Sequence, residues 1–259
     1  MGTFLFDSTV FGPVISRRLG SSLGINLLPN DIKICNFNCI YCECGLTPQT
    51  LQDGFSLPSR SEVRRLLEEY LKGAGKPGKK IDTITFAGNG EPTLHPGFPD
   101  IIDDVLELRK KYLPAVKIAV LSNATLIHRT EVFNALLKVD FNILKMDSVF
   151  ADTRQLINCP LINLSARETI EDLKKFNGKL IIQTMFFRGN YNGTFIDNTS
   201  DKELEPLIEA YLEIKPESVM IYTIARDTPH KGLQKIGEAE LNAIAGRIEN
   251  LGIKTHVSG

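Results

Sequence analysis

The sequence has almost no net charge: 30 lysines and arginines oppose 31 aspartates and glutamates, a formal −1 at pH 7. No global basic field therefore gathers nucleic acid, which leaves a local patch as the electrostatic route to RNA. Long hydrophobic runs are missing as well. No stretch of about 18 apolar residues occurs anywhere, and the first twenty residues lack the basic-then-apolar pattern of a secretion signal. The expectation is a soluble, cytoplasmic protein with no membrane partner. Histidines are few, and His95, His128, His230 and His256 show no metal spacing, so they read as surface residues or as neighbours of a site. Low-complexity linkers and internal repeats are absent, so residues 1–259 read as one domain with segment 1–23 packed on it. A hydrophobic fraction of 42% suffices for its core.

What is present is a strict alternation of strand and helix patterns. The first strand is expected over 24–28 and 31–34, running into the cysteines. A capping box, Ser59-x-x-Glu62, opens a helix with Val63, Leu66, Leu67, Tyr70 and Leu71 on one face. The Gly/Lys/Pro stretch 73–80 reads as a turn. Strands follow at 81–86, 116–121, 141–146, 180–187 and 218–222, each with an amphipathic helix after it. Two of those helices start at further boxes, Ser165-x-x-Glu168 and Ser200-x-x-Glu203, and 253–257 reads as a short terminal strand. Six βα units imply right-handed crossovers and a parallel sheet. Six are too few to close as an eightfold barrel, so the expected fold is α/β, a partial (β/α)6 TIM-like barrel, with sites at the carboxyl ends of the strands.

Four of the five cysteines fall within ten residues, Cys35-Asn-Phe-Asn-Cys39-Ile-Tyr-Cys42-Glu-Cys44, directly after the first strand pattern. In a reducing compartment such a cluster signals metal or catalysis rather than disulfides. Cubane iron–sulfur clusters are normally held by cysteine. Three ligands on a tight loop fix three irons and leave the fourth open to a small chelating molecule. A structural zinc on all four cysteines competes, although zinc sites usually draw on two separated knuckles and the loop offers one. The spacing itself says only metal.

The spacing Cys35-x3-Cys39-x2-Cys42, with the aromatic Tyr41 before the third cysteine, resembles the motif of the radical SAM superfamily. That resemblance implies one [4Fe-4S] cluster on Cys35, Cys39 and Cys42, with S-adenosylmethionine on the open iron and Tyr41 beside it. Cys44 and Cys159 are then non-ligands. The likeness runs along nearly the whole chain. Ala87-Gly88-Asn89-Gly90-Glu91-Pro92, after the second strand, is similar to the Gly-Gly-Glu-like segment that meets the methionine amino group, with Asn89 where the first glycine would stand. Glycine there permits close backbone approach to a ligand, and the same residues also make an ordinary turn. Ser122 and Asn123 end the third strand, where relatives contact the ribose or carboxylate of the cofactor; they can equally cap the next turn. Lys145 and Asp147 share one face of the fourth strand's end. They offer either a lysine for the cofactor carboxylate or an ion pair of their own.

The segment Phe11-Gly-Pro-Val-Ile-Ser-Arg17-Arg18 and the segment Tyr222-Thr-Ile-Ala-Arg226-Asp-Thr-Pro229 resemble a subgroup related to wyosine-synthesis radical SAM proteins. Arg17, Arg18 and Arg226 are candidate anion clamps, because guanidinium grips carboxylate or phosphate bidentately, and Tyr222 joins them as a candidate substrate residue. Solvated loop arginines are the plainer reading. The resemblance implies an enzyme that takes an electron from a flavodoxin- or ferredoxin-type donor and cleaves S-adenosylmethionine reductively. The 5′-deoxyadenosyl radical so formed abstracts hydrogen from a substrate that is a small molecule, a protein or an RNA. No catalytic side chain is singled out. Wyosine-synthesis relatives carry more cysteines for a second cluster, whereas only Cys159 lies outside this loop. An RNA-modifying enzyme and a non-catalytic metal or cluster protein are the alternatives.

Overall fold

Seven parallel strands, joined by helical crossovers, curl around one interior in the computed structural model, which describes residues 4–48, 55–74, 80–163 and 165–259. In chain order the elements are β1 (Val10–Ser16), β2 (Gly20–Ile25), α1 (Arg60–Ala74), β3 (Thr83–Phe86), α2 (Phe98–Tyr112), β4 (Lys117–Ser122), α3 (Thr130–Leu136) and β5 (Phe141–Lys145). Then come α4 (Ala151–Ile157), α5 (Ala166–Lys174), β6 (Ile181–Tyr191), β7 (Thr194–Asp197), α6 (Asp201–Ile214), β8 (Ser218–Thr223), β9 (Leu233–Lys235), α7 (Glu238–Glu249) and β10 (Thr255–Ser258). The sheet order is β1-β2-β3-β4-β5-β6-β8-β10, parallel from β2 to β10, with β1 antiparallel on the edge. This is the expected partial (β/α)6 barrel, six βα units and a closing strand.

Period-two alternation sorts each strand. Ile84, Phe86, Ile118, Val120, Leu144, Ile182, Phe186, Val219 and Ile221 join the large core under the helices. Ala119, Ile143, Ile181 and Met220 face the other way, into the barrel, where Leu19 packs on them. That last contact measures the curl. Leu19 leads into β2 and Met220 lies on β8, five strand spacings away, about 24 Å in a flat sheet. The guanidinium of Arg18 likewise lies 4.5 Å from the ring centre of Tyr222 on β8. Arg17 Nη1 donates to the carbonyl of Gly259, beyond β10, at 2.7 Å. The turn between β1 and β2 therefore bridges the two ends of the open barrel.

Several boundaries depart from the sequence pattern for identifiable reasons. The first strand stops at Ile25 because Asn26 takes over its own backbone: Nδ2 donates to Leu28 O and Oδ1 accepts from Leu28 N. Residues 31–34 are not a strand. Pro29 has no N–H to offer, and Ile34 alone reaches a partner, bridging to Gly90. The N-terminal segment is more than a packed tail, since β1 forms a hairpin with β2, and Pro13 sits at the edge where no ladder bond is lost. Ser59 and Ser165 cap as expected, accepting from Glu62 N and Glu168 N. Ser200 does not cap: its hydroxyl donates to Asp197 O, and Glu203 accepts from Ser148 and Thr153 instead, tying α6 to the start of α4. β6 continues past the barrel to pair with β7 and β9. Of the turn expected over 73–80, residues 75–79 lie outside the described residues.

Candidate active site

The carboxyl ends of the parallel strands, the cysteine loop and the β1–β2 turn enclose a cavity of about 260 Å³. Cys35, Cys39 and Cys42 line it together, and so do Tyr41, Gly90, Glu91, Ser122, Asn123 and Lys145. All four candidate substrate residues, Arg17, Arg18, Tyr222 and Arg226, line the same cavity. Asn89 and Asp147 do not.

The loop is pinned to the sheet at several points. Ile34 N donates to Asn89 O at 2.9 Å, and Glu91 N donates to Ile34 O at 3.0 Å. This brings Cys35 beside Gly90 across the intervening α1. Asn36 and Asn123 bond side chain to side chain at 2.6 Å, joining the loop to the end of β4. On the other flank Asn38 N and Ile40 N donate to carbonyls of α4's C-terminal turn. Two amides aim at the sulfurs themselves: Asn123 Nδ2 lies 3.5 Å from Cys35 Sγ, and Asn158 Nδ2 lies 3.5 Å from Cys39 Sγ.

Electrostatics separate the thiols. Burial pushes Cys35 up to about 12 and also raises Cys39. Cys42 is held well below the usual thiol range by a hydrogen bond from Cys44 and by the Lys33 ammonium, against burial. Cys44 is correspondingly raised, and its thiol also stands 3.4 Å from the carbonyl of Gly88. Lys33 is 3% exposed and donates to Gly45 O at 2.8 Å. Burial alone would lower its pKa; the surrounding cysteines hold it high. Among the described residues no three thiol, imidazole or carboxylate groups stand where one metal ion could take them all. Four thiols line the shared cavity, Cys44 among them, with a buried ammonium beside them, a donor set that suits a multinuclear anionic cluster whose irons are ligated one by one.

The remaining predicted residues divide by what their side chains already hold. Glu91 accepts from Thr93 N, Thr93 Oγ1, Ser122 Oγ and Asn123 N, welding the end of β3 to the end of β4. Asn89 is fully buried and turned away from the cavity, bonded to Phe6 N, Phe6 O and Pro29 O. Asn123 Oδ1 caps the Thr125 turn, so the capping alternative holds for its oxygen while its amide faces the cysteines. The ion-pair alternative holds for Lys145: Nζ donates to Tyr41 Oη at 2.6 Å and lies 3.4 Å from Asp147 Oδ2. Tyr41 donates to the same carboxylate, which also accepts from Asn158 Nδ2 and Met185 N. Burial would lower Lys145, but the Asp147 carboxylate together with Tyr222 and Cys39 outweighs it and raises the ammonium's pKa. Arg226 pairs with Glu43 at 2.6 Å on the exposed rim. His95 is neither a surface residue nor at the site; it is buried, holding Pro58 O and Gly97 N.

Lys33, Asn36, Asn158 and Gln183 complete the site's surroundings without having stood out as sequence. Only Gln183 carried a signal, as a polar residue at an inward position of an otherwise apolar strand.

Comparison with known proteins adds the chain's relationships. The family model of the radical SAM superfamily matches residues 30–198. The chain belongs to the radical SAM superfamily. A Brachyspira hyodysenteriae protein named GTPase Obg is 33% identical over 235 residues, covering 90% of this chain and 32% of that protein. This radical SAM chain thus spans about a third of that relative. Among solved structures, Streptococcus suis SuiB bound to S-adenosylmethionine superposes with a TM-score of 0.64 at 14% identity, covering 91% of this chain and 50% of SuiB. Archaeal TYW1 superposes with a TM-score of 0.52 at 13% identity, over 88% of this chain and 71% of its own. Both likenesses are of fold: the same curled half-barrel sheet. Among the described residues no helix is long and apolar enough to cross a membrane.

Proposed function

We propose that this chain is a radical SAM enzyme that carries one [4Fe-4S] cluster on Cys35, Cys39 and Cys42 and acts on a substrate held in the cavity beneath them. The observation that carries the reading is the convergence of those three thiols on one cavity at the carboxyl ends of the strands; Cys44 lines the same cavity, its thiol against Cys42 and Gly88 O. When bound, the cluster and S-adenosylmethionine supply one-electron cleavage of a carbon–sulfur bond, chemistry that no side chain here provides. The protein's part is to hold and orient. Lys33 offsets the negative charge that three thiolates bring into a buried site. The amides of Asn123 and Asn158 donate toward Cys35 and Cys39 and steady them. Gly90 lets the loop close against the end of β3, and the exposed backbone there accepts an ammonium. Walls formed by Tyr41, Leu121, Met185 and Tyr222 keep water from a reactive site. An external donor of flavodoxin or ferredoxin type supplies the electron.

Anaerobic reconstitution tests this. The wild-type chain should take up about four irons and release 5′-deoxyadenosine when given dithionite and S-adenosylmethionine. Alanine at Cys35, Cys39 or Cys42 should abolish both, while Cys44→Ala should keep both. Loss of iron from Cys44→Ala equal to that from Cys42→Ala would reveal a four-cysteine centre and overturn the enzyme reading.

A further inference from the structure

Two polar side chains that line the cavity each keep a buried donor atom without a hydrogen-bond partner among the described residues. Gln183 is 7% exposed, and its Nε2 has no partner among the described residues. Arg18 Nη1 is buried and equally unpartnered, while its guanidinium lies 4.5 Å from the centre of the Tyr222 ring. Both residues line the cavity that the cysteines line. Their level within the barrel follows from register. Gln183 lies beside Lys145 and Met220, one inward position above Ile181 in the apolar floor, and Tyr222 is the next inward position after Met220 on β8.

A buried donor left unpaired costs about 1–3 kcal/mol, more when it is charged. Two in one cavity mark a place where an acceptor is missing. Among the described residues, the carboxylates at and around the cavity are already engaged. Asp147 is held by Tyr41, Lys145, Asn158 and Met185 N. Glu91 is held by four donors of β4 and the turn before α2. Glu43 is taken by Arg226. The Arg18 fork, held against the Tyr222 ring, suits a two-oxygen acceptor, and the Gln183 amide offers a neutral donor to the same cavity.

Resting on the radical SAM reading of the same cavity, we infer that the substrate carries a carboxylate or phosphate, and that this group seats between Arg18 and Gln183, next to the apolar floor. The rest of the substrate then extends from the floor toward the cysteine loop, which places its reacting carbon near the cofactor. The methionine carboxylate of S-adenosylmethionine has the same chemistry, so the test must separate the two sources.

The experiment uses the reconstituted full chain, titrated calorimetrically with inorganic phosphate and with acetate, with and without saturating S-adenosylmethionine. The wild type should bind one of these anions saturably when the cofactor is already bound. Arg18→Leu should weaken that binding by at least about tenfold, the loss of one charge-assisted pair. Gln183→Glu conserves size and hands Arg18 an internal carboxylate, so it should fold even where Arg18→Leu does not, and should abolish anion binding. Neither change should move cofactor affinity more than about twofold. Anion binding that competes with S-adenosylmethionine, together with a tenfold loss of cofactor affinity in Arg18→Leu, would assign the pair to the cofactor and overturn the inference. Absence of saturable anion binding, or its persistence in Gln183→Glu, would overturn it as well. Failure of the underlying radical reading shows separately, as no 5′-deoxyadenosine from the wild type in the same preparation.

Discussion

Gly90 has φ +140°, and a Cβ built on it would stand 1.8 Å from the carbonyl oxygen of Ile34. Both facts follow from one need, a backbone-to-backbone bridge that brings the cysteine loop against the end of β3. Gly90→Ala should therefore cost about 1–3 kcal/mol in strain, and it should do so by pushing Ile34 away. The expected outcome is a lowered urea midpoint together with reduced iron uptake, since Cys35 follows Ile34 directly. Full iron loading in a clearly destabilised variant would show that the bridge does not position the loop. Lys145 makes the contrasting case. Lys145→Met leaves the Asp147 carboxylate buried with only neutral donors, and the expected loss is about 3–5 kcal/mol, read from urea unfolding. Tyr41→Phe removes one donor from the same carboxylate while leaving its cation, so it should cost less than Lys145→Met. At this scale the sequence disclosed that Cys35, Cys39 and Cys42 share one cavity, and about half of that cavity's lining, because spacing within one loop is a local property. Lys33, Asn36 and Asn158 were not legible: each matters only through a neighbour brought in from another part of the chain.

Helices and strands were legible wherever local pattern and tertiary demand agree. The apolar stripe of α1 and the caps at Ser59 and Ser165 are set by residues three or four apart, and they formed as the pattern implies. Ser200 shows where that logic stops. Its neighbour Glu203 has two hydroxyls waiting on the α4 side, Ser148 and Thr153, and those bonds displace the box. β1 escaped notice for a similar reason, since an edge strand with a glycine and a proline in it has no clear period of its own. The contact between α1 and α2 gives a prediction at this scale. Asp104 accepts from Arg60 at 2.6 and 3.0 Å and from Arg64 at 2.8 Å. Arg60, then its charge and that of Arg64, hold the carboxyl below its usual value despite burial. A lowered folded pKa contributes stability that is present above the unfolded value and is lost as pH falls through the folded one. Arg60 is half exposed, so the contribution is modest. Asp104→Asn should cost about 1 kcal/mol at pH 7, and the gap from wild type should close as pH drops below about 4. A gap unchanged at pH 3 in urea titrations would mean that the charge is not what joins the two helices.

The whole molecule is an open barrel whose ends are brought together by the turn from Arg17 to Gly20. Strand order and parallel pairing alone do not produce that closure; a flatter sheet would satisfy every ladder bond from β2 to β10. What demands the curl is the inner face. Ala119, Ile143, Ile181 and Met220 would meet water on a flat sheet, and Leu19 covers them only if β2 and β8 approach across the interior. The curl in turn sets Arg18 against Tyr222 and brings both into the lining of the cavity, so the proposed anion seat depends on the floor. The strand count pointed to an open barrel, but the contacts that close it were not readable along the chain, where residues 19 and 220 are separated by most of its length. It makes a quantitative demand on solution behaviour. Leu19→Ala and Met220→Ala should each destabilise the fold, Leu19 by about 2–3 kcal/mol as a largely buried leucine. Residues on unconnected parts of a flat sheet would add independently, within about 0.5 kcal/mol. Residues that share one floor should not. The double variant should be less destabilised than the sum of the two, by about 0.5–3 kcal/mol, because removing one partner leaves the other with less to pack on. Urea unfolding of the two single variants and the double variant measures this coupling. A value near zero would separate Leu19 from Met220 and, with them, the two ends of the barrel.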